Sequence, residues 1–265
     1  MYRFDYQSPD SLETALAALR DGDESKLVAG GMTLLPTMKL RLARPAELID
    51  LNGIESLAGI SEKDGMIMIG AMTRHADVAA SDLVRKRIPA LAHLAGLIGD
   101  PQVRNRGTIG GSIANNDPAA DYPAGVLGLG GNVVTDRREI EADAFFPDMF
   151  ETVLEEDEII TAVHFPIPRR AAYRKFPNPA SRYAIVGVMV AQTEGGVRVA
   201  VTGAAPCVFR MTAMEDALSK KFSPEAIASI AVDDTEFNED IHASPAYRAN
   251  LVGVMARRAV AAAAR

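Results

Sequence analysis

The sequence predicts an α+β fold, and three observations carry that class. The first fifth of the chain alternates short apolar, strand-like runs with helical segments, as a small parallel unit does. The middle pairs a hairpin-like stretch with a strongly apolar helical one. Beyond Pro168 the order changes to strands followed by helices, the mark of a separate sheet-and-helix domain. The expected division is therefore 1–175, with subdomains of about 1–55 and 56–175, then 176–265. A length of 265 residues, nearly half of them apolar, suits one large or two modest packed domains.

Each element has a local reason. In "SPDSLETALAALRDGD", Leu12, Ala15, Leu16 and Leu19 recur at helical spacing, Asp10 and Glu13 form a capping pair, and Gly22 stops the helix. "KLVA" is a buried strand that runs into Gly30-Gly31. "MTLLPTMKLRLAR" reads as a helix ending before Pro45, and "ELIDL" as the next strand. "LAGISEKDGMIMIGAM" is a hairpin turning at Lys63-Asp64-Gly65. Thr73 is placed to cap a helix through "RHADVAA", and "IPALAHLAGLIG" is an apolar helix. "NVVT", "REIEA" and "EIITAVHFPIP" follow as strands. "AIVGVMVAQTEGGVRVAVTGAA" is a second hairpin, turning at Gly195-Gly196. Helices are expected at "MTAMEDALSK", "SPEAIASIA" and "SPAYRANLVGVMARRAVAAAA".

Composition removes several function classes. The net charge is −7 and no long Lys/Arg cluster occurs, which disfavours nucleic acid and anionic membranes as partners. Cys207 is the single cysteine, so an intrachain disulfide, an iron–sulfur cluster and a cysteine zinc site are all out of reach. The histidines, His75, His93, His164 and His242, lack metal-ligand spacing, and no metal is expected. His75 and His93 read as ordinary surface or groove residues, and Cys207 as a packing residue. "MYRFDYQSPD" has no apolar signal core and no run is long enough to span a bilayer, so a cytoplasmic protein is expected.

Two glycine turns stand out. In "KLVAGGMTLLP" a Gly-Gly pair follows a strand and precedes a helix, so backbone N–H groups face outward and another group approaches closely. That arrangement suits a phosphate, and it equally suits a tight strand–helix turn. In "GTIGGSIANNDPAAD" a second pair is flanked by Thr108 and Ser112, whose hydroxyls serve either as phosphate donors or as turn stabilisers. Asp121 follows nine residues after Ser112, either as an acceptor for a ribose diol or as a helix N-cap. Two such turns with a nearby acid favour a diphosphate dinucleotide. Neither matches GxGxxG or GxxxxGK[ST], and "GLGGNV" precedes a strand, so a Rossmann unit and a P-loop are both disfavoured.

The segments "VAGGMTLLPTMKLRLARP" and "VRNRGTIGGSIANNDPAADYPA", in that order, resemble the FAD-binding motifs of the molybdenum-hydroxylase flavoprotein subunits. These belong to the xanthine dehydrogenase family, and the nearest likeness is to the medium subunits of aerobic carbon monoxide dehydrogenases. "RFDYQSP", "IGAMTRHADV", "DEIITAVHFP" and "AYRKF" extend the resemblance over nearly the whole chain. It implies a two-subdomain FAD-binding fold of the vanillyl-alcohol-oxidase (PCMH) type with a small C-terminal domain. It implies that Ala29, Gly30, Gly31, Met32, Thr33 and Leu34 hold the pyrophosphate, with Thr108, Gly111, Ser112 and Asp121 opposite. It also sets Ile160 near the flavin, Lys175 at its polar edge and Tyr183 over the ring. For Tyr183 the competing role is core packing at the start of a strand, and for Lys175 it is a solvated lysine. Met32 replaces a more usual polar residue, and "ASRYA" replaces "GDYA" or "GDFA".

The implied function is electron transfer. FAD is the cofactor, no side chain is a catalytic acid or nucleophile, and the partners are a molybdopterin-binding large subunit and a 2Fe–2S small subunit. The external acceptor is open among a quinone, oxygen and NAD. Two alternatives remain: a self-sufficient FAD-dependent oxidase or dehydrogenase, for which about 90 residues beyond the boundary are few, and a non-catalytic nucleotide-binding subunit.

Overall fold

A computed structural model describes residues 1–264. Its backbone forms three sheets, each with its own cause. The first is parallel: β1 (Asp5–Gln7) and β2 (Ser25–Val28) flank β3 (Glu47–Asp50), with Tyr6 opposite Leu48 and Leu27 opposite Ile49. Helix α1 (Leu12–Asp21) makes the crossover and buries Ala15 against Ile49, Leu51 and Ile159. Its N-cap is Ser11, whose Oγ accepts from the Thr14 amide, so the expected Asp10–Glu13 pair gives way to the next residue. Helix α2 (Leu34–Lys39) is half the expected length. Arg41 turns left-handed at φ 62°, and Leu40 and Leu42 find nothing to bury against, at 72% and 76% exposure. A helix with no apolar surface to pack on is not continued.

The second sheet is antiparallel, ordered β4 (Ile60–Lys63), β5 (Met66–Gly70), β8 (Ile160–Pro166), β6 (Asn132–Thr135), β7 (Glu139–Glu141). Asp64 and Gly65, both at positive φ, form the expected β4–β5 turn. Six helices lie between β5 and β6 in the chain, α3 (His75–Ala80), α4 (Asp82–Arg87), α5 (Pro89–Gly96), α6 (Pro101–Arg104), α7 (Ile109–Asn115) and α8 (Tyr122–Leu129), and α4, α7 and α8 pack directly on the strands of this sheet. Thr73 does not cap α3. Its Oγ1 is taken by the Gly59 backbone, and Arg74 occupies the N-cap position instead. Helix α9 (Ala142–Phe145) closes the far edge.

The third sheet is antiparallel, ordered β12 (Phe209–Arg210), β11 (Gly196–Thr202), β10 (Ala184–Thr193), β9 (Arg170–Pro177). Residue 175 therefore lies inside β9, and the proline-rich turn at Pro166–Pro168 separates the second sheet from the third. Residues 184–191 of β10 are all buried, because both faces are covered. Met189 and Ala191 meet the core that contains α8, whereas Val186, Val188 and Val190 meet α10 (Thr212–Lys220) and α11 (Pro245–Ala263). Alternation along a strand assigns the residues to these two cores. Helix α8 is buried along its whole length and apolar all round, as a helix clamped between layers must be. The "SPEAIASIA" segment forms only a 3-10 turn, Pro224–Ile227, with Ile227 as its one buried anchor.

Arg248 fastens α11 to this sheet. It is buried, and its guanidinium donates to the carbonyls of Ile185 and Gly203, both at 2.8 Å, and to Asp240 at 2.7 Å. Removing it strands two carbonyls without donors, a cost of about 3 kcal/mol. Arg248→Ala should therefore lower the urea midpoint by that equivalent. An unchanged midpoint would mean that water replaces the guanidinium at no cost.

Candidate functional site

A cleft of about 620 Å³ opens where the three sheets converge, within the usual range for a cofactor. Ala29, Gly30, Gly31, Met32, Thr33, Leu34, Thr108, Gly111, Ser112, Asp121, Ile160 and Tyr183 all line it. Lys175 does not; it lies behind Asp121, with its Nζ 2.8 Å from the Asp121 carboxylate and 3.0 Å from the Leu97 carbonyl.

The two glycine loops do different work. After β2 the amides of Gly30, Gly31, Met32, Thr33 and Leu34 donate to no protein acceptor among the described residues. Gly31 sits at φ 69°, which a side chain resists, and a Cβ there would also press on Leu35 at 2.8 Å. A side chain at Gly31 would thus point into the protein and not at the ligand. Asn52 donates to the Ala29 carbonyl at 2.8 Å and fixes the entry to the turn. In the second loop the amides are already used. Ile109 donates to Thr73, Gly110 to Ala71 and Ser112 to Thr108, while Gly111 donates to the Thr108 hydroxyl oxygen. This loop therefore offers hydroxyls, from Thr108 and Ser112, and not open amides. The loops also touch: a Cβ on Gly30 would land on the Arg106 carbonyl.

Asp121 is wholly enclosed. One carboxylate oxygen accepts from the Tyr173 hydroxyl at 2.6 Å and the other from Lys175 at 2.8 Å. Burial pushes its carboxyl up from the ordinary value, and the Lys175 ammonium opposes that. Burial, then the Asp121 charge, holds the Tyr173 phenol well above its usual range. The Asp121 side chain does not cap α8, so the capping role read from the sequence is absent. Each oxygen keeps a second lone pair, and the residue lines the cleft, so a ligand hydroxyl still has an acceptor. Asp117 nearby is also pushed up by burial. Tyr183 precedes β10 and is 42% exposed, so it overhangs the cleft and is not core. Burial raises its phenol too.

Several residues at or behind the cleft escaped the sequence. Asn115 follows Ser112 by one helical turn, a spacing that signals a shared face. Tyr173 is in the quoted "AYRKF", but only the third dimension pairs it with Asp121. His75 proves buried at 4% exposure and lines the cleft, where a surface or groove place was expected. Its Nδ1 and the Tyr122 hydroxyl, whose rings lie 5.3 Å apart, have no hydrogen-bond partner among the described residues. Burial, then Arg104, drives the His75 imidazole down to about 4. The Asn116 side chain holds the carbonyls of Asp148 and Glu151 at 2.8 Å, and its left-handed backbone ends α7.

The family model for the FAD binding domain in molybdopterin dehydrogenases matches residues 2–168. The chain belongs to this family. A second model, the CO dehydrogenase flavoprotein C-terminal domain, matches residues 171–263. The chain is similar to the carbon monoxide dehydrogenase medium chain of Hydrogenophaga pseudoflava, 39% identical over 98% of this chain and 97% of that one. It is 37% identical to the nicotine 6-hydroxylase medium subunit of Paenarthrobacter nicotinovorans, over 96% and 95% of the two chains. The structure superposes on a chain of the Hydrogenophaga pseudoflava carbon monoxide dehydrogenase lacking the Mo-pyranopterin moiety with a TM-score of 0.93, at 40% identity, covering 99% and 97%. As a family member the chain is an FAD-binding component of an oxidoreductase. The cleft fits that cofactor: open amides in a row, hydroxyls opposite, a buried carboxylate with spare lone pairs, and volume for a dinucleotide.

Gly30→Ala drives the two loops apart and Gly31→Val strains the turn, so each should weaken FAD binding by about tenfold or more, ~1.4 kcal/mol. Fluorescence titration measures this, and parent-like affinity in both variants would show that the amide row is not the diphosphate cradle. His75, neutral in the folded state, takes up a proton more readily when unfolded. Its contribution to stability is therefore lost as pH falls from about 6.5 to about 4. The drop in melting temperature across that window should shrink in His75→Phe, and an identical drop would exclude His75 as its source.

Proposed function

We propose that this chain is the FAD-carrying electron-transfer subunit of a molybdenum hydroxylase complex, working in the cytoplasm. The five successive amides at 30–34, which have no acceptor among the described residues and line the cleft, support this most directly, because a row of free N–H groups before a helix suits an anionic group. They would hold the pyrophosphate, with the Thr108 and Ser112 hydroxyls donating from the opposite wall and Gly111 allowing close approach. Asp121 would accept from a ribose or ribityl hydroxyl, held in place by Tyr173 and Lys175. Ile160 would form an apolar wall for the cofactor, and Tyr183 would cover the ring and exclude water. Lys175 acts through Asp121, setting the charge beneath the ring's polar edge. Bound FAD supplies the redox chemistry, exchanging electrons singly with metal centres and in pairs with organic acceptors. The protein's part is binding, orientation and electrostatics.

One cysteine cannot ligate a cluster, so the electron source belongs on another polypeptide. The partners are a 2Fe–2S small subunit and a molybdopterin-binding large subunit, consistent with medium subunits among the relatives. A self-sufficient flavoenzyme needs a substrate domain, whereas the 93 residues matched after the FAD-binding segment form one sheet covered by helices.

The isolated, FAD-loaded chain should not be reduced by aldehydes, N-heterocycles or carbon monoxide in anaerobic stopped-flow. The complex co-expressed with its large and small partners should bleach on adding substrate. Rapid bleaching of the lone chain would replace the subunit assignment with a self-sufficient flavoenzyme.

A further inference from the structure

A second cavity of about 330 Å³ adjoins the Tyr183 end of the cleft, and Gly99 and Arg182 line both. Its remaining wall is Gly96, Leu97, Lys175, Pro177, Asn178 and Pro179. Two cations and no carboxylate face it, in a chain whose net charge is −7. Lys175 is already committed to Asp121 and the Leu97 carbonyl. Arg182 has only one long hydrogen bond, 3.5 Å to the Gly99 carbonyl, and no ion pair among the described residues.

The turn that presents Arg182 is tightly specified. Asn178 Oδ1 accepts from the amides of Ala180 and Ser181, at 2.9 and 3.2 Å, and the Asn178 carbonyl accepts from the Arg182 amide at 2.9 Å. Asn178 Nδ2, on a buried residue, donates to no acceptor among the described residues. Arg182 itself is left-handed at φ 62°. Of the six non-glycine residues at positive φ, it alone lines either cavity. Such a backbone costs about 1 kcal/mol and is held there by its surroundings. The resulting site is lined by apolar Leu97, Pro177 and Pro179, by Asn178, and by the Arg182 guanidinium, which has no ion pair among the described residues.

We propose that this cavity binds the electron acceptor, and that the acceptor is a planar redox-active ring bearing an anionic group. The proposal rests on the electron-transfer function above and names the ligand class it lacked. The ring lies on Leu97 and the prolines, beside the tyrosine that overhangs the cleft. The Arg182 guanidinium and the Asn178 amide hold the anion, the guanidinium by charge-assisted bonds. A quinone bound there takes up two electrons and two protons at its two carbonyl oxygens. The electrons and one proton come from the reduced cofactor, and the second proton from water.

The test uses the full chain loaded with FAD in its oxidised form and two probes, 1,4-naphthoquinone-2-sulfonate and neutral 2-methyl-1,4-naphthoquinone. Binding is read by calorimetry, with FAD content measured first on every sample. The sulfonate should bind about tenfold tighter than the neutral ring, by an advantage that fades with added salt. Arg182→Gln should remove that advantage and leave the neutral probe's affinity alone. Arg182→Gly, which relaxes the backbone, should do the same and guards against a folding defect in the first variant. Equal binding of both probes by the parent, or parent-like sulfonate binding in both variants, overturns the proposal while FAD content leaves the function itself standing. A chain that takes up no FAD overturns both.

Discussion

The contact on which the rest depends is that between Gly30 and the backbone of Arg106 and Gly107. No side chain fits between them, so the loop after β2 and the loop before α7 meet there backbone to backbone. That closeness sets the width of the cleft. Of the two loops in contact, one has its amides satisfied within the protein and the other leaves a row of them without a protein acceptor. A saturated loop is rigid enough to serve as an abutment, and an unsaturated one needs an abutment to stay in place. His75, whose amide donates to Gly107 from beneath, continues the same support into the helical core.

A second constraint reaches the site from the C-terminal sheet. Tyr173 and Lys175 alternate along β9 with Arg174 between them, so both point to one side and meet the two oxygens of Asp121. Gly187 on β10 makes room for the Tyr173 hydroxyl, which a Cβ would displace. The carboxylate at the start of α8 is thus held by the same sheet whose β10 and β11 pack on the body of α8. A buried acid of this kind is tolerable only with both partners present.

Much of this was legible in the sequence, for identifiable reasons. The glycine pairs, the flanking hydroxyls and Asp121 are local signals, and the structure brings all of them to one cleft. The hairpins and long helices were legible because their periodicities are strong. Helix α2 was overread, since "LRLAR" keeps helical spacing but has no partner surface to cover. Thr73 was misread because a hydroxyl before a helix looks like a cap until a distant backbone claims it. Tyr173, Asn115 and the burial of His75 depend on which elements meet, which one-dimensional pattern does not encode. Lys175 was recognised by likeness, but its place behind Asp121, and not at the cleft wall, needed the register of β9 against β10.

Helix α8 has one more consequence. Each of its residues is enclosed, by the helices of the second sheet on one side and by β10 and β11 on the other. The two segments that family models treat as separate units therefore share a hydrophobic interior. Split at the proline turn into two genes, the first product would carry a bare apolar cylinder and the second an uncovered sheet face. Such fragments would aggregate before they could find each other. The seam between the segments is a boundary between family models, while in the folded chain their side chains share one core.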